Sequence, residues 1–406
     1  MPLQKPPLTL LPLRTLVAIP IILALLTAWQ LFLHSDLNLA MLFSQCHSHA
    51  RLAALSRIPL VGPVLCYLTS FFQASVASAR AGAVMAETLA FVAGLLTVYT
   101  VEGARICNRS AVLIAYPAGP MLVFNLIGGA VVWQLLLVPA FFHHHQAILA
   151  QRQNATPQAL ERAQDTHPAL GPKLRYFTNS AETLAIPVGV ALGFILPSAL
   201  LLFLGTPWAA GLWLFSPLYV SAIRIAVRRL VALSSPWITF LRPENAQPTS
   251  LHLESSRTAL LGVYLLPLTV SALAHWNLIW NLTAHFDDCQ EMTRSVLRFV
   301  VVDMAFVWLT VVYWLFVEVG WQVTTVVVGI GLVAGPGAGL CVGWIYREQK
   351  MMDSVFVLGS EEERVSDEHE EETESDGYQE QRQSDEHRDE GENNRRQTDE
   401  NTPLLG

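Results

Sequence analysis

The sequence predicts an all-α protein: a polytopic helical membrane bundle of eight or nine transmembrane helices with a disordered acidic C-terminal tail. Three observations carry this. Hydrophobic residues make up 52% of the 406 residues and mean hydropathy is +0.39, beyond ordinary globular usage. About nine apolar stretches of membrane-spanning length run between Arg14 and Tyr346, without the strand alternation of a barrel. Charge is segregated: 20 acidic and 7 basic residues lie from Arg347 onward, leaving 13 acidic and 18 basic in the body. The net charge of -8 therefore hides a positive body whose arginines sit in short loops and set topology, with no basic surface for nucleic acid.

Taken in order, Thr15 to Leu33 is an apolar run behind Lys5 and Arg14 with no small-residue cleavage site after it, which predicts a span or signal anchor. Ile58 to Val76, Ala83 to Val101, Tyr116 to Phe141, Leu184 to Leu204, Trp208 to Ala226, Ala259 to Leu278, Leu297 to Val317 and Val323 to Trp344 follow as spans. Pro139, Pro187, Pro197, Pro267 and Gly335-Pro336-Gly337 interrupt several of them, as kinks or close helix approaches. Three regions result: 1–57 with the first span, a 58–346 bundle and a 347–406 tail. The tail is polar, repeats Ser-Asp-Glu-His at Ser366 and Ser384, and reads as a solubilising segment in which both serines are phosphosite candidates.

With the N-terminus cytosolic, the loops holding Arg152, Arg162, Lys173 and Arg175, and Arg224, Arg228, Arg229, Arg242 and Arg257, face the cytosol. Glycosylation acceptors Asn108 and Asn281 then fall in the lumen, and a third sequon at Asn154 does not. Nine spans would also put the tail in the lumen. Its ending, Glu400-Asn-Thr-Pro-Leu404-Leu405, has the shape of an acidic dileucine signal read by a cytosolic sorting adaptor, so one of the nine runs is expected not to cross.

Asp303 is the clearest candidate for chemistry. It lies six residues into its run, where a carboxylate costs roughly 2.5 to 3.5 kcal/mol near mid-bilayer. At about 100° per residue, Asp303, Thr310, Trp314 and Glu318 share an arc of about 80°. An acid, a hydroxyl and an aromatic in one column suit proton-initiated chemistry on a greasy substrate, because low-dielectric surroundings favour the proton-bearing acid and aromatic faces stabilise a cation. The alternative is an Asp303 paired with a base across the bundle. Glu87 and Glu102 lie about 22 Å apart along one helix at ~1.5 Å per residue, too far for one site, and Glu102 has an i, i+3 partner in Arg105. Glu182 is placed to cap a helix. His275, beside Trp276 and Trp280, could share a proton with an acid.

No metal site is expected. His143-His144-His145 and Cys46-His47-Ser48-His49 lack ligand spacing, and Asp287-Asp288-Cys-Gln-Glu291 occurs once beside a sequon, where a solvated loop is the simpler reading of a magnesium-diphosphate-like pattern. Five scattered cysteines suggest no disulfide framework.

Several motifs, in order, carry a family resemblance: Ile58-Pro-Leu-Val-Gly-Pro-Val-Leu-Cys with Phe71-Phe72-Gln73-Ala74, Val101-Glu-Gly-Ala-Arg105, Leu113-Ile-Ala-Tyr-Pro117, Gly128-Gly129, Gly193-Phe-Ile-Leu-Pro197, Ser271-Ala-Leu-Ala-His275, Asp303 with Trp308, and Gly335-Pro-Gly-Ala338 with Arg347-Glu348. Together, over roughly Pro59 to Glu348, they resemble the fungal membrane-bound terpene cyclases of ascochlorin, ascofuranone and macrophorin type. The resemblance implies a cofactor-free cyclase acting on a farnesylated or related prenylated aromatic, by protonation of an epoxide or terminal alkene, with Glu102, His275 and Asp303 as the matching polar positions. The column reading adds Trp308, Tyr313 and Trp314 as cation-lining residues.

Two functions stay open. One is that cyclase, in the endoplasmic reticulum membrane, with a lipophilic prenylated substrate and membrane lipid as its partners. The acidic tail and the extra first span, which depart from the resembled family, suit the other: a non-enzymatic transporter or sorting factor of the vacuolar or late secretory membrane.

Overall fold

The computed structural model describes residues 11–34, 61–154, 177–179, 181–240, 257–284 and 290–349, with Leu8, Ala40, Leu42 and Ser44. Asp287, Asp288, the tail from residue 350 and its Glu400, Leu404 and Leu405 lie outside them. Among the described residues the regular structure is helical, with no strand. Apart from the short turns Ile106–Asn108 and Val112–Ala115, the helices are α1 (Leu13–Leu33), α2 (Val61–Ser75), α3 (Ala79–Ala104), α4 (Ala118–Ile127), α5 (129–154), α6 (Glu182–Leu204), α7 (Pro207–Leu214), α8 (Ser216–Phe240), α9 (Arg257–Ala284), α10 (Glu291–Val319), α11 (Trp321–Ala334) and α12 (336–349).

Local chemistry sets the boundaries. The Ser78 hydroxyl accepts from the Ala81 amide to cap α3, and Thr206 caps α7 ahead of Pro207, whose missing N–H is harmless in a first turn. α6 ends on Gly205 in the left-handed region (φ 57), a conformation glycine adopts without a Cβ clash. α3 is the central helix, buried along most of its length between α6, α9, α10 and α12.

Among the described residues five helices, α1, α3, α6, α9 and α10, are long and apolar enough to cross a membrane; α7 and α8, bent by 60°, supply a sixth if they form one span. The expected eight or nine are not recovered, for physical reasons. α2 has 15 residues, short of the ~20 a span needs. The fourth and ninth runs are broken at Gly128 (φ 125) and Gly335 (φ 92), where the positive φ ends the helix and turns the chain.

Both broken runs fold back on themselves. α4 sets out beside the C-terminus of α3, where Ile114 and Pro117 crowd Gly103. α5 returns to the same end: His145 reaches Glu318, and Gln146 donates to the Leu11 carbonyl at 2.9 Å. Likewise α11 leaves from Glu318 and α12 packs back along it, Gly339 and Gly343 against Val327, until Arg347 meets Glu318 again. The apex of the first hairpin touches Asp303, and that of the second touches Glu87, Ser271 and His275.

The start of α1 and the end of α12 consequently share one end of the bundle with Asn108, Arg105, Arg224 and Arg228. This end also holds the buried ionic cluster described below. By the positive-inside rule this end is expected to face the cytosol. Tags at the N- and C-termini should therefore be digested together by protease added outside sealed microsomes, and Asn108→Gln should leave gel mobility unchanged. A protected C-terminal tag would contradict the hairpin reading of α11 and α12.

Cys66 is disulfide-bonded, a single bond where the scattered cysteines had suggested no disulfide framework, and its partner lies outside the described residues. Cys107 and Cys341 are free thiols. The spacing of scattered cysteines carries no information about pairs brought together by folding.

Candidate functional site

The Gly128 break leaves the first amides of α5 without helical partners, and Asp303 of α10 supplies them. Its two carboxyl oxygens accept from Gly129 N at 3.1 Å and Ala130 N at 3.0 Å. A carboxyl group at a helix N-terminus also meets the positive end of the helix dipole. Gly129 allows the close approach, since a Cβ there would lie 2.4 Å from the Phe124 ring. Gly129→Ala should push that ring aside and destabilise the protein by about 1–3 kcal/mol in a thermal melt.

Asp303 lines a cavity of 430 Å³ in the half of the bundle remote from the end that carries Arg347. Its walls are mainly aromatic and aliphatic, with Phe71, Phe72, Phe91, Phe124, Phe299 and Trp213 among them. Asp303 is the one carboxylate in that lining, where Tyr67, Thr88 and Asn125 are the other polar side chains with hydrogen-bonding groups. A cavity of this size and polarity is typical of a small-molecule site.

The column Asp303, Thr310, Trp314 and Glu318 is real, but its lower rungs serve packing. α5 docks along it rung by rung: Gln134 donates to Thr310 at 3.1 Å, Phe141 stacks on Trp314 at 4.6 Å, and His145 meets Glu318 at 3.2 Å. Tyr313 donates to the Leu16 carbonyl at 2.9 Å, and Trp308 packs edge-on against Phe91 at 5.8 Å and against Gly331. Trp308, Tyr313 and Trp314 thus do not line the Asp303 cavity. The rings that do were signalled in part by the Phe71-Phe72 motif.

Glu102 and His275 are held elsewhere. Glu102 accepts from Arg347 at 2.8 Å, Arg105 at 3.2 Å, Trp344 at 3.3 Å and Asn108 at 3.2 Å. Arg347 also meets Glu318 and Glu348, and Arg105 meets Glu348. This buried cluster lies about 20 Å from Asp303, by the fifteen residues of α10 from Asp303 to Glu318 at ~1.5 Å each. His275 pairs through Nδ1 with Glu87 at 3.1 Å, and its Nε2 faces the Leu332 carbonyl at 3.2 Å. Of the three polar positions, only Asp303 reaches the cavity.

The remaining candidates have structural partners. Asn108 is buried with its amide on Glu102, and Asn281 lies within α9 with its amide on Asn277, so neither presents a free acceptor nitrogen. Glu182 does stand at the N-terminus of α6, and it also binds Arg224 at 2.6 and 2.8 Å and Arg228 at 3.0 Å. His144 faces the Cys107 carbonyl at 2.8 Å.

A helical membrane bundle in which the break of one helix holds an acid of another at the wall of an apolar cavity defines the class of this protein. Within it, the chain belongs to the CtvD domain family, whose model matches residues 49–286, more than half of the chain. That family is associated with meroterpenoid pathways, which marks the chain as a secondary-metabolite pathway protein. No curated protein and no solved structure matches it. The matched segment includes Asn125, Gly128 and His275 and ends before α10, so Asp303 is contributed by the chain beyond it.

Proposed function

We propose that the protein is a terpene cyclase that starts cyclisation of a prenylated, epoxy-farnesyl-type aromatic by proton transfer from Asp303. The observation that carries this reading is a single carboxyl group, fixed by two backbone amides, on the wall of a 430 Å³ cavity otherwise dominated by apolar and aromatic side chains. The Asp303 proton passes to the epoxide oxygen or terminal alkene, the chain π-bonds close onto the resulting cation, and a final C–H proton returns to the carboxylate. Substrate and product are isomers. The Gly129 and Ala130 amides favour the carboxylate that forms as the proton leaves, so they act on the transition state more than on the bound acid. Phe and Trp faces on the wall lower the energy of the cation.

In this reading Glu102 and His275 are structural, the protein works in the endoplasmic reticulum membrane, and the dileucine-like ending offers a cytosolic adaptor a route onward to the vacuole. The test is expression in a yeast host fed with an epoxidised farnesyl-aromatic, looking for an isomeric product that depends on Asp303. The two hairpins favour one other reading, transport, since broken helices at mid-depth also build transporter sites. Uptake or efflux of the fed compound without isomerisation would support it instead.

A further inference from the structure

Besides Asp303, the cavity wall carries Asn125, three residues before the Gly128 break. The side chain is fixed. Its Nδ2 donates to the Leu214 carbonyl at 3.2 Å and approaches the Ser216 hydroxyl at 3.5 Å, both at the bend between α7 and α8. That carbonyl requires a donor opposite it, which settles which end of the amide is nitrogen. Oδ1 is left buried without a hydrogen-bond partner, in a residue only 6% exposed. A buried acceptor in this state is destabilising unless something in the cavity supplies a donor.

None of the other polar groups on the wall meets it: the Thr88 hydroxyl donates to the Val84 carbonyl, the Trp213 indole N–H donates to Ser198, and neither the Tyr67 hydroxyl nor Asp303, whose oxygens hold the Gly129 and Ala130 amides, bonds to Oδ1. We propose that Asn125 is a specificity residue, whose Oδ1 accepts a hydrogen bond from a hydroxyl group of the lipophilic ligand and so fixes that ligand's position relative to Asp303. This rests on reading the cavity as a ligand site. It adds a requirement that the aromatic-lined walls do not impose: the ligand must carry a donor.

The proposal is tested by binding, which needs no turnover. Farnesol and farnesyl methyl ether have the same chain, and only the alcohol donates a hydrogen bond. With the protein in nanodiscs, and each probe corrected for its partition into lipid, farnesol should bind about tenfold more tightly than the ether. Asn125→Leu should reduce that ratio to about twofold or less while ether binding persists, and Asp303→Asn should preserve it. If Asn125→Leu does not fold, Asn125→Ser is compared in the same way, since its shorter side chain leaves the Oδ1 position empty. A farnesol advantage that survives the Asn125 variant, or equal binding of both probes to the unaltered protein, overturns the assignment and leaves the cavity a ligand site. Binding of neither probe overturns both readings.

Discussion

Asp303→Asn is expected to lower turnover by about 10²–10⁴-fold, the usual contribution of a positioned general acid, while the protein still inserts and binds ligand. The substitution is nearly isosteric but removes the transferable proton. It also places an NH₂ group against one of two backbone donors, since Gly129 N and Ala130 N each point at a carboxyl oxygen. Loss of one hydrogen bond to the neutral acid destabilises by roughly 0.5–1.5 kcal/mol, so some loss of melting temperature is expected alongside the lost rate. The two effects separate by normalising product formation to folded, ligand-binding protein. If Asp303 only caps the α5 N-terminus, the normalised rate will be that of the unaltered protein, and the cyclase mechanism would need another acid.

How much of this was legible depended on whether a feature is local. Asp303, Thr310, Trp314 and Glu318 could be placed on one face because helical periodicity is a property of one segment. What that face meets was not, because α5 is more than 150 residues away in the chain. The same limit made Glu102 look like half of an interfacial ion pair with Arg105: its i, i+3 partner was visible, while Arg347, 245 residues on, was not. His275 was expected to share a proton with an acid, and its partner is Glu87 from a distant helix.

The breaks in the fourth and ninth runs were not legible for a different reason. Hydropathy averages over a window and cannot register a single positive φ, although Gly128-Gly129 and Gly335-Pro336-Gly337 were both in view as breakers. The conflict between nine spans and a cytosolic-type tail ending was the sequence-level sign that one of the runs need not cross. Asn125, a polar residue inside an apolar run, carried the same kind of signal as Asp303 and was missed because an amide attracts less notice than a charge.

The other large effect is expected where the hairpins close. Three carboxylates, Glu102, Glu318 and Glu348, share Arg105, Arg347 and the His145 ring in a buried cluster joining α3, α10, α5 and α12. Arg347 touches all three acids, so Arg347→Met leaves buried carboxylates with Arg105 as the guanidinium remaining in the cluster. Removing one member of a buried ionic network typically costs about 3–5 kcal/mol, because the remaining charges stay desolvated. We expect Arg347→Met to lose most of its monodisperse peak on size exclusion in detergent, and Glu102→Gln to lose a smaller share. Glu102→Gln is the sharper test, because the cluster and a catalytic role predict opposite results for the protein that does fold. A structural Glu102 leaves that fraction turning over at the unaltered rate, since the cavity about 20 Å away keeps its acid and its walls. A catalytic Glu102 gives a stable, ligand-binding and inactive protein, and that result would move the proton donor from the cavity to the cluster.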